Sequence, residues 1–436
     1  MKVKKFGGTS VGSAARIKNV AALISGDGCN VVVLSAMSGT TNSLVEIAAA
    51  VKDGDCARAL NLVDELAAKY DAVISELYAD ASAKAAAKEI TDNIFGQLRQ
   101  LAAKEYSAQL EKEIVAKGEL ISTNLTNCYL HETGVKSVLL PALDYMRIDL
   151  HGEPDMEYIG THLKELLAAN AGADLYITQG FICRNEKGEV DNLQRGGSDY
   201  TASLIGAAIG ADEIEIWTDI DGMHNNDPRF VEDTRPVHNL HFEEAAELAY
   251  FGAKILHPTC ILPARMHNVP VRLLNTLDPS AEGTLIENKM CGNAIKAVAA
   301  KDNITAIKIK SGRMLLAYGF LKKVFEIFEK YETSIDMITT SEVGVSLTID
   351  NERNLEPIVE ELSRLGSVTI DRDMVIVCVV GDLEWKNRGF EAKALEALCN
   401  VPVRMISYGG SNYNISFLIR KEDKVRALRM LSYHLF

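Results

Sequence analysis

"KKFGGTSVGS", residues 4–13, follows only three residues at the start of the chain. A short apolar-basic strand, 3–6, runs into Gly7-Gly8-Thr9-Ser10, and the helix-patterned stretch "AARIKNVAALI" begins at Ala14. Strand, glycine-rich turn and helix together point unpaired backbone N–H groups at an anion. An ordinary turn that needs positive φ has the same composition, so this stretch alone leaves both readings open.

Outward from it, the chain keeps alternating. The runs "NVVVLSAM" (30–37), "SVLLPA" (137–142), "DLYITQGFI" (174–182) and "EIEIWTDI" (213–220) read as strands buried on both faces. Helical patterns lie between them, which predicts a mainly parallel sheet with helices on both sides. Residues 55–118, rich in Ala, Glu, Lys and Leu, read as a helical subregion packed beside that sheet.

The length of 436 residues exceeds one ordinary core and predicts two or three domains. Apolar content of 47% with 24% charged residues places the chain among globular proteins. No apolar run is long enough to span a bilayer, and "MKVKKFGG" lacks the apolar stretch of a secretory signal. Eight scattered cysteines with no C-x-x-C pair argue against a disulfide framework or a zinc site and for a reducing cytoplasm. A net charge of −14 argues against nucleic-acid and membrane partners. A bound polyanion must then be met by local lysines and arginines.

Character changes near 283–300. Beyond it, short β-patterned runs alternate with amphipathic helices of about three turns. "NITAIKIK", "RMLLAYG", the helix "FLKKVFEIFEKY", "SIDMITT", "VGVSLTID", the helix "NLEPIVEELSRLG" and "SVTIDR" form one set. "MVIVCVVG", the helix "GFEAKALEALC", "VRMISYG", "NISFLIR" and the helix "KEDKVRALRML" form a second. These are two βαββαβ-like units in tandem, at 300–372 and 373–436, after a first domain at 1–290. The second unit lacks a strand and the first has one to spare, so the strand near 302–310 is expected to complete the second.

Four stretches carry chemistry. "LQRGGSDYTASLIGAAIGA" (193–211) is a second glycine-rich helix entrance, with Arg195 before the glycines and Asp199 in the first turn, where an acid also serves as a plain cap. Two such base-flanked entrances in one α/β domain favour phosphoryl chemistry. "WTDIDGMHNNDPR" (217–229) follows a strand, at the carboxyl edge where open α/β sheets bind ligands. "FGAKILHP" (251–258) places Lys254 near a helix end. "VHNLHFEE" holds His238, His241, Glu243 and Glu244 without a matching partner cluster, a weak basis for a metal site.

In order, "KFGGTSV", "VVLSAMSGTTN", "GELIS", "QGFI", "RGGSDYTA", "TDIDGMHNNDPR" and "ELAYFGAKILHP" resemble the aspartokinases of the amino-acid-kinase superfamily, and the tandem C-terminal units resemble ACT domains. The resemblance implies an α/β fold, a mainly parallel sheet sandwiched by helices, followed by two α+β ferredoxin-like ACT domains. It implies transfer of the γ-phosphoryl of ATP to the side-chain carboxylate of L-aspartate, with Mg²⁺ riding mainly on phosphates and water. Lys5, Asp199 and Lys254 would be catalytic. Gly7, Gly8, Thr218, Asp219, His224, Asp227, Arg229 and Lys254 would bind ATP, and Ser38, Thr41, Asn42, Glu119, Arg195 and Ser198 would bind aspartate.

"SIDMITTSEVGVSLTID" resembles the lysine-responsive branch. It implies an L-lysine effector at Met314, Phe320, Leu321, Ser334, Asp336, Ser341 and Glu342, and a homodimer formed through the ACT units. Threonine or no effector stays open. Competing readings are a kinase for another small acid, such as glutamate or N-acetylglutamate, and a catalytically weak amino-acid sensor. A dinucleotide-binding oxidoreductase is disfavoured because no G-x-G-x-x-G follows a strand.

Overall fold

The computed structural model describes residues 1–26, 28–193, 196–252, 256–289, 295–312 and 318–436. The chain divides into two compact units, one formed by Met1–Gly222 and Leu256–Asn288, the other by Met223–Ile255 and Lys289–Phe436.

Strands are numbered along the chain. The first unit contains β1 (Val3–Phe6), β2 (Asn30–Leu34), β3 (Ser137–Leu140), β4 (Leu175–Gln179), β5 (Ile182–Arg184), β6 (Val190–Asn192), β7 (Ile214–Thr218), β9 (Val271–Asn275) and β10 (Thr284–Glu287); β8 (Asn239–His241) lies in the second unit. Seven strands of the first unit lie side by side in the order β3-β4-β2-β1-β7-β9-β10, parallel except where β10 meets β9, and β5 pairs with β6 as a hairpin. The "NVVVL" and "LYITQ" runs are buried along their whole length, as strands covered on both faces must be. The helical subregion is the long pair Cys56–Leu77 and Ala81–Ala102, followed by Ala108–Val115. Asp55 and Asp80 cap the long pair, and Tyr70 packs on Phe95 between them.

The second unit carries a six-stranded antiparallel sheet, β12-β13-β11-β14-β16-β15. Its strands are β11 (Ile295–Lys310), β12 (Ile338–Ser341), β13 (Gly344–Ile349), β14 (Ser367–Gly381), β15 (Val403–Ser407) and β16 (Asn414–Arg420). "SVTIDR" and "MVIVCVVG", read from sequence as separate strands, are one continuous strand, β14. β11 is also longer than the sequence reading. Its Thr305–Lys310 part pairs with β13 and with the start of β14, while Ile295–Lys301 pairs with Ile376–Gly381. The residues beside the second βαββαβ-like set are therefore 295–301, upstream of 302–310. Both long strands bend at one level, through Asn303 (φ 60) and Asp373 (φ 54), residue types that tolerate the left-handed region. One core lies under the helices Phe320–Lys330 and Leu355–Ser363, and a second under Phe390–Ala397 and Lys424–Leu435. The run expected as a strand at 313–319 lies largely outside the described residues, and Tyr318 and Gly319 turn into the helix that follows.

Candidate active site

At the carboxyl ends of β1, β2 and β4 the chain leaves the sheet and opens a cleft of about 400 Å³. Lys5, Gly8, Ser38, Thr41, Asn42, Glu119, Ser198 and Asp199 all line it. The Lys5 Nζ on β1 lies 2.7 Å from Oδ1 of Asp199, in the first turn of the helix Gly197–Ile209. Both side chains are largely buried, so the ion pair sits where charges interact more strongly than in water.

Close backbone packing makes the cleft. A Cβ on Gly8 would stand 2.8 Å from the carbonyl oxygen of Ala36, so only glycine fits against the β2 loop; Ser38 N–H donates to the Gly8 carbonyl at 3.1 Å. On the opposite wall a Cβ on Gly197 would meet the ring of Phe181 at 2.4 Å. Phe181 itself is held at φ 67, its N–H donating to the Thr201 hydroxyl at 2.9 Å and its carbonyl accepting from Leu193 N–H at 2.7 Å. A bulky residue at positive φ is costly and persists only where its surroundings fix it.

Glu119, on the helix Lys117–Glu132, is only 4% exposed and accepts the Ala36 N–H at 3.3 Å. Burial pushes its carboxyl up to about 7, against the lowering pull of its own N–H and that of Ala36. Its neighbour Ser122 donates to the Ser35 carbonyl at 2.8 Å and ties this helix to the β2 loop. Lys69 donates to the Ser38 carbonyl at 3.0 Å from the helical subregion.

Gly7 adjoins the cleft, where a Cβ would lie 3.5 Å from Lys5 Nζ. Thr218 and Asp219 belong to the first unit, with the Thr218 hydroxyl donating to Asp219 at 3.1 Å. His224, Asp227 and Arg229 belong to the second unit. There Arg229 grips Asp227 with Nε at 2.9 and 3.1 Å and a terminal nitrogen at 2.6 Å. Burial raises the Asp227 carboxyl, but those bonds outweigh it and hold the group below the usual range. Arg195, Lys254 and Met314 lie outside the described residues.

The expected effector residues are spread through the second unit. Phe320 is part of the core beneath its own helix, with Leu321 packed against that core. Ser334, Ser341 and Glu342 are exposed, the last two at the tight β12–β13 connection. Asp336 has no exposed side-chain surface. Its Oδ1 takes Lys301 Nζ at 2.7 Å and the Tyr250 hydroxyl at 2.8 Å, and Lys301 also reaches Asp350 at 2.9 Å. Burial still holds the Asp336 carboxyl above its ordinary value despite both donors. Oδ2 of Asp336 is buried and accepts no hydrogen bond among the described residues.

Sequence reasoning missed Phe181 and the Lys301–Tyr250 partners of Asp336. Phe181 lay inside the quoted "QGFI", but nothing in that string announces a positive φ. Lys301 stands before the run read as a strand, "NITAIKIK", and nothing in its surroundings sets it apart. Among the described residues no group of three His, Cys, Asp or Glu side chains could hold a metal ion, His238–Glu244 included. None of the seven cysteines described forms a disulfide. No helix among the described residues is long and apolar enough to cross a membrane.

A parallel sheet whose carboxyl edge gathers a lysine, paired glycines and a helix entrance suits phosphoryl transfer, and the amino acid kinase family model matches residues 1–275. An ACT-domain model matches 377–435. Lysine-sensitive aspartokinase 3 of Escherichia coli (strain K12) is 35% identical over 447 residues, covering 100% of this chain and 99% of the relative. Chloroplastic aspartokinase 1 of Arabidopsis thaliana is 34% identical, covering 100% of this chain and 80% of that protein. The solved structure of E. coli aspartokinase III in complex with aspartate and ADP matches all of both chains with a TM-score of 0.83, and that of Clostridium acetobutylicum aspartate kinase, 26% identical, with 0.88. The chain belongs to the aspartokinases of the amino acid kinase family and is an aspartate kinase, a phosphotransferase with a carboxyl group as acceptor.

Proposed function

We propose that this chain transfers the γ-phosphoryl of ATP to the side-chain carboxylate of L-aspartate, giving 4-phospho-L-aspartate and ADP, and that L-lysine inhibits it through the ACT region. The observation that carries the reading is the cleft in which Lys5 pairs with Asp199 while Glu119 stands buried across from the paired glycines. A carboxylate nucleophile is already ionised at neutral pH, so no general base is required. One carboxylate oxygen forms a bond to the γ-phosphorus as the bond to the β-phosphate oxygen breaks, and ADP leaves with that electron pair. The barrier is the approach of one anion to another, which positioning and neutralisation lower.

Lys5 then serves the transferring phosphoryl, with Asp199 holding its ammonium in place and Gly7 and Gly8 offering backbone N–H groups. Lys254, Thr218, Asp219, His224, Asp227 and Arg229 serve the nucleotide. Arg195 grips a carboxylate of aspartate bidentately, Glu119 accepts from its α-ammonium, and Ser38, Thr41, Asn42 and Ser198 line the pocket. Glu119 suits an ammonium partner because its buried carboxyl gains most from a cation. Mg²⁺ would neutralise the phosphate oxygens, held mainly by those oxygens and water.

For the effector, the buried, unpartnered Oδ2 of Asp336 and the exposed carboxylate of Glu342 are the acceptors for an ammonium, and Ser334, Ser341, Met314, Phe320 and Leu321 complete the set that the resemblance implies. Aspartokinase III of E. coli has been solved in complex with lysine and aspartate in a T-state, which supports lysine as the class of effector. A homodimer through the ACT units and a cytoplasmic setting complete the reading. The test is aspartate-dependent ADP release from Mg-ATP with and without millimolar L-lysine. Turnover that requires aspartate and falls with lysine is expected. Turnover indifferent to lysine removes the effector half, and folded protein without aspartate-dependent turnover removes the whole.

A further inference from the structure

"HNNDPRF" (224–230) is a polar run with one proline that turns on itself, the Phe230 N–H donating to the Asp227 carbonyl at 3.0 Å and the Arg229 N–H to Asp227 Oδ1 at 2.9 Å. What anchors this turn comes from outside it, by contacts that all lie within the second unit. Asn226, 3% exposed, donates its Nδ2–H to the carbonyl of Leu428 at 3.1 Å, while its Oδ1 accepts the N–H of Asp227 at 2.9 Å. Val298 N–H, on β11, donates to the Asn225 carbonyl at 2.8 Å. Arg429 Nε donates to the Phe230 carbonyl at 3.1 Å, and Lys424 Nζ sits 4.4 Å from the centre of the Phe230 ring. Val231 is buried in the same core as Ala427, Leu428 and Leu431. Leu428, Arg429 and Lys424 all belong to the closing helix, Lys424–Leu435.

We propose that this closing helix of the ACT region positions the Asp227–Arg229 segment for nucleotide binding, with Asn226 and Arg429 as the positioning residues. Asn226 is the joint. One end of its amide holds the helix carbonyl and the other holds the N–H of Asp227, whose carboxylate in turn orients the Arg229 guanidinium. A shift of the helix moves the Leu428 carbonyl and with it the amide that sets Asp227. The inference rests on the reading that Asp227 and Arg229 contact the nucleotide.

The experiment measures the KM for Mg-ATP and for aspartate in the full-length chain carrying Asn226→Asp, Arg429→Ala, Arg429→Lys or Arg229→Ala. Asn226→Asp keeps an acceptor toward Asp227 but sets a buried carboxylate oxygen against the Leu428 carbonyl in place of the donor. It should raise the ATP KM about 10- to 100-fold, as losing a donor and leaving a buried charge unpaired does, and leave the aspartate KM in place. Arg429→Ala should raise the ATP KM less, and Arg429→Lys should recover part of that rise. An unchanged ATP KM in Asn226→Asp, a joint rise of both KM values, or a fall in kcat alone would mark a merely structural role and overturn the proposal. Arg229→Ala separates the two failures. If it leaves the ATP KM unchanged, the nucleotide reading falls and takes the inference with it. If it raises the ATP KM while Asn226→Asp does not, the inference alone falls.

Discussion

Each unit holds a lysine–aspartate pair at 2.7 Å, and the two pairs face different surroundings. Lys5–Asp199 lines a cleft with glycine backbone on one side and a buried glutamate on another, so its ammonium is held yet reachable. Lys301–Asp336 is closed in by the Tyr250 hydroxyl and ring and by Asp350, and the carboxylate has no exposed surface. The same chemistry therefore does two jobs. In the kinase unit the ammonium stays open to the cleft, and in the ACT region it ties one strand to its neighbours, with the second oxygen of Asp336 buried and without a hydrogen bond among the described residues.

That contrast can be broken most forcefully at Lys5. Lys5→Ala should lower kcat about 10²- to 10³-fold, the usual cost of removing one group that stabilises developing charge, while aspartate still binds. Near-normal turnover would remove Lys5 from the chemistry. Lys301→Ala should instead cost stability, about 3 kcal/mol by chemical denaturation, because it strands a buried carboxylate. Added L-lysine should then raise the Tm of Lys301→Ala more than that of the parent chain if Asp336 is an effector contact, and equally if it is only a tie.

Glu119→Gln should raise the aspartate KM about 10- to 100-fold, the loss of one charge-assisted bond. Because its carboxyl lies near 7 in the fold and near 4.5 outside it, the folded chain holds that proton more tightly. Stability from this group thus falls as pH rises from about 4.5 to about 7, and Glu119→Gln should be the more stable protein at pH 8, by up to about 3 kcal/mol. The aspartate KM of the parent chain should climb as pH drops below about 7, and that of the variant should not. Gly8→Ala, whose new Cβ meets a backbone oxygen, should cost about 1–3 kcal/mol and loosen the β2 loop. Parent-like stability there would show that the loop yields.

The parallel strands and the helical subregion were legible because their burial is written as apolar runs and 3.6-residue periodicity. The cleft was legible as pieces, since Lys5 and Asp199 each stood in a glycine-rich stretch at a strand or helix end, while Ser38 and Glu119 entered only through the family resemblance. Their convergence was not, because tertiary pairing has no local period. Ile295–Lys301 was missed as strand for a similar reason: "IKAVAAK" has weak β-propensity and is held by pairing with the strongly apolar "IVCVVG". The sequence reading split β14 at Asp373, and the chain does take a left-handed residue there, in an irregularity between the Met374 and Asp371 pairings that shifts the register without ending the strand.

The long antiparallel ladder between β11 and β14 also bears on how the chain is made. Ile295–Lys301 leaves the ribosome well before Ile376–Gly381, the segment it pairs with, has been translated. At ordinary elongation rates the wait is on the order of several seconds, long compared with the formation of a hairpin. During that interval the nascent chain carries an unpaired strand edge, the kind of surface that other chains can template on. Synthesis, rather than the finished enzyme, is thus the stage at which this regulatory region is most exposed to misassembly, and slower translation across 302–376 would lengthen the exposure.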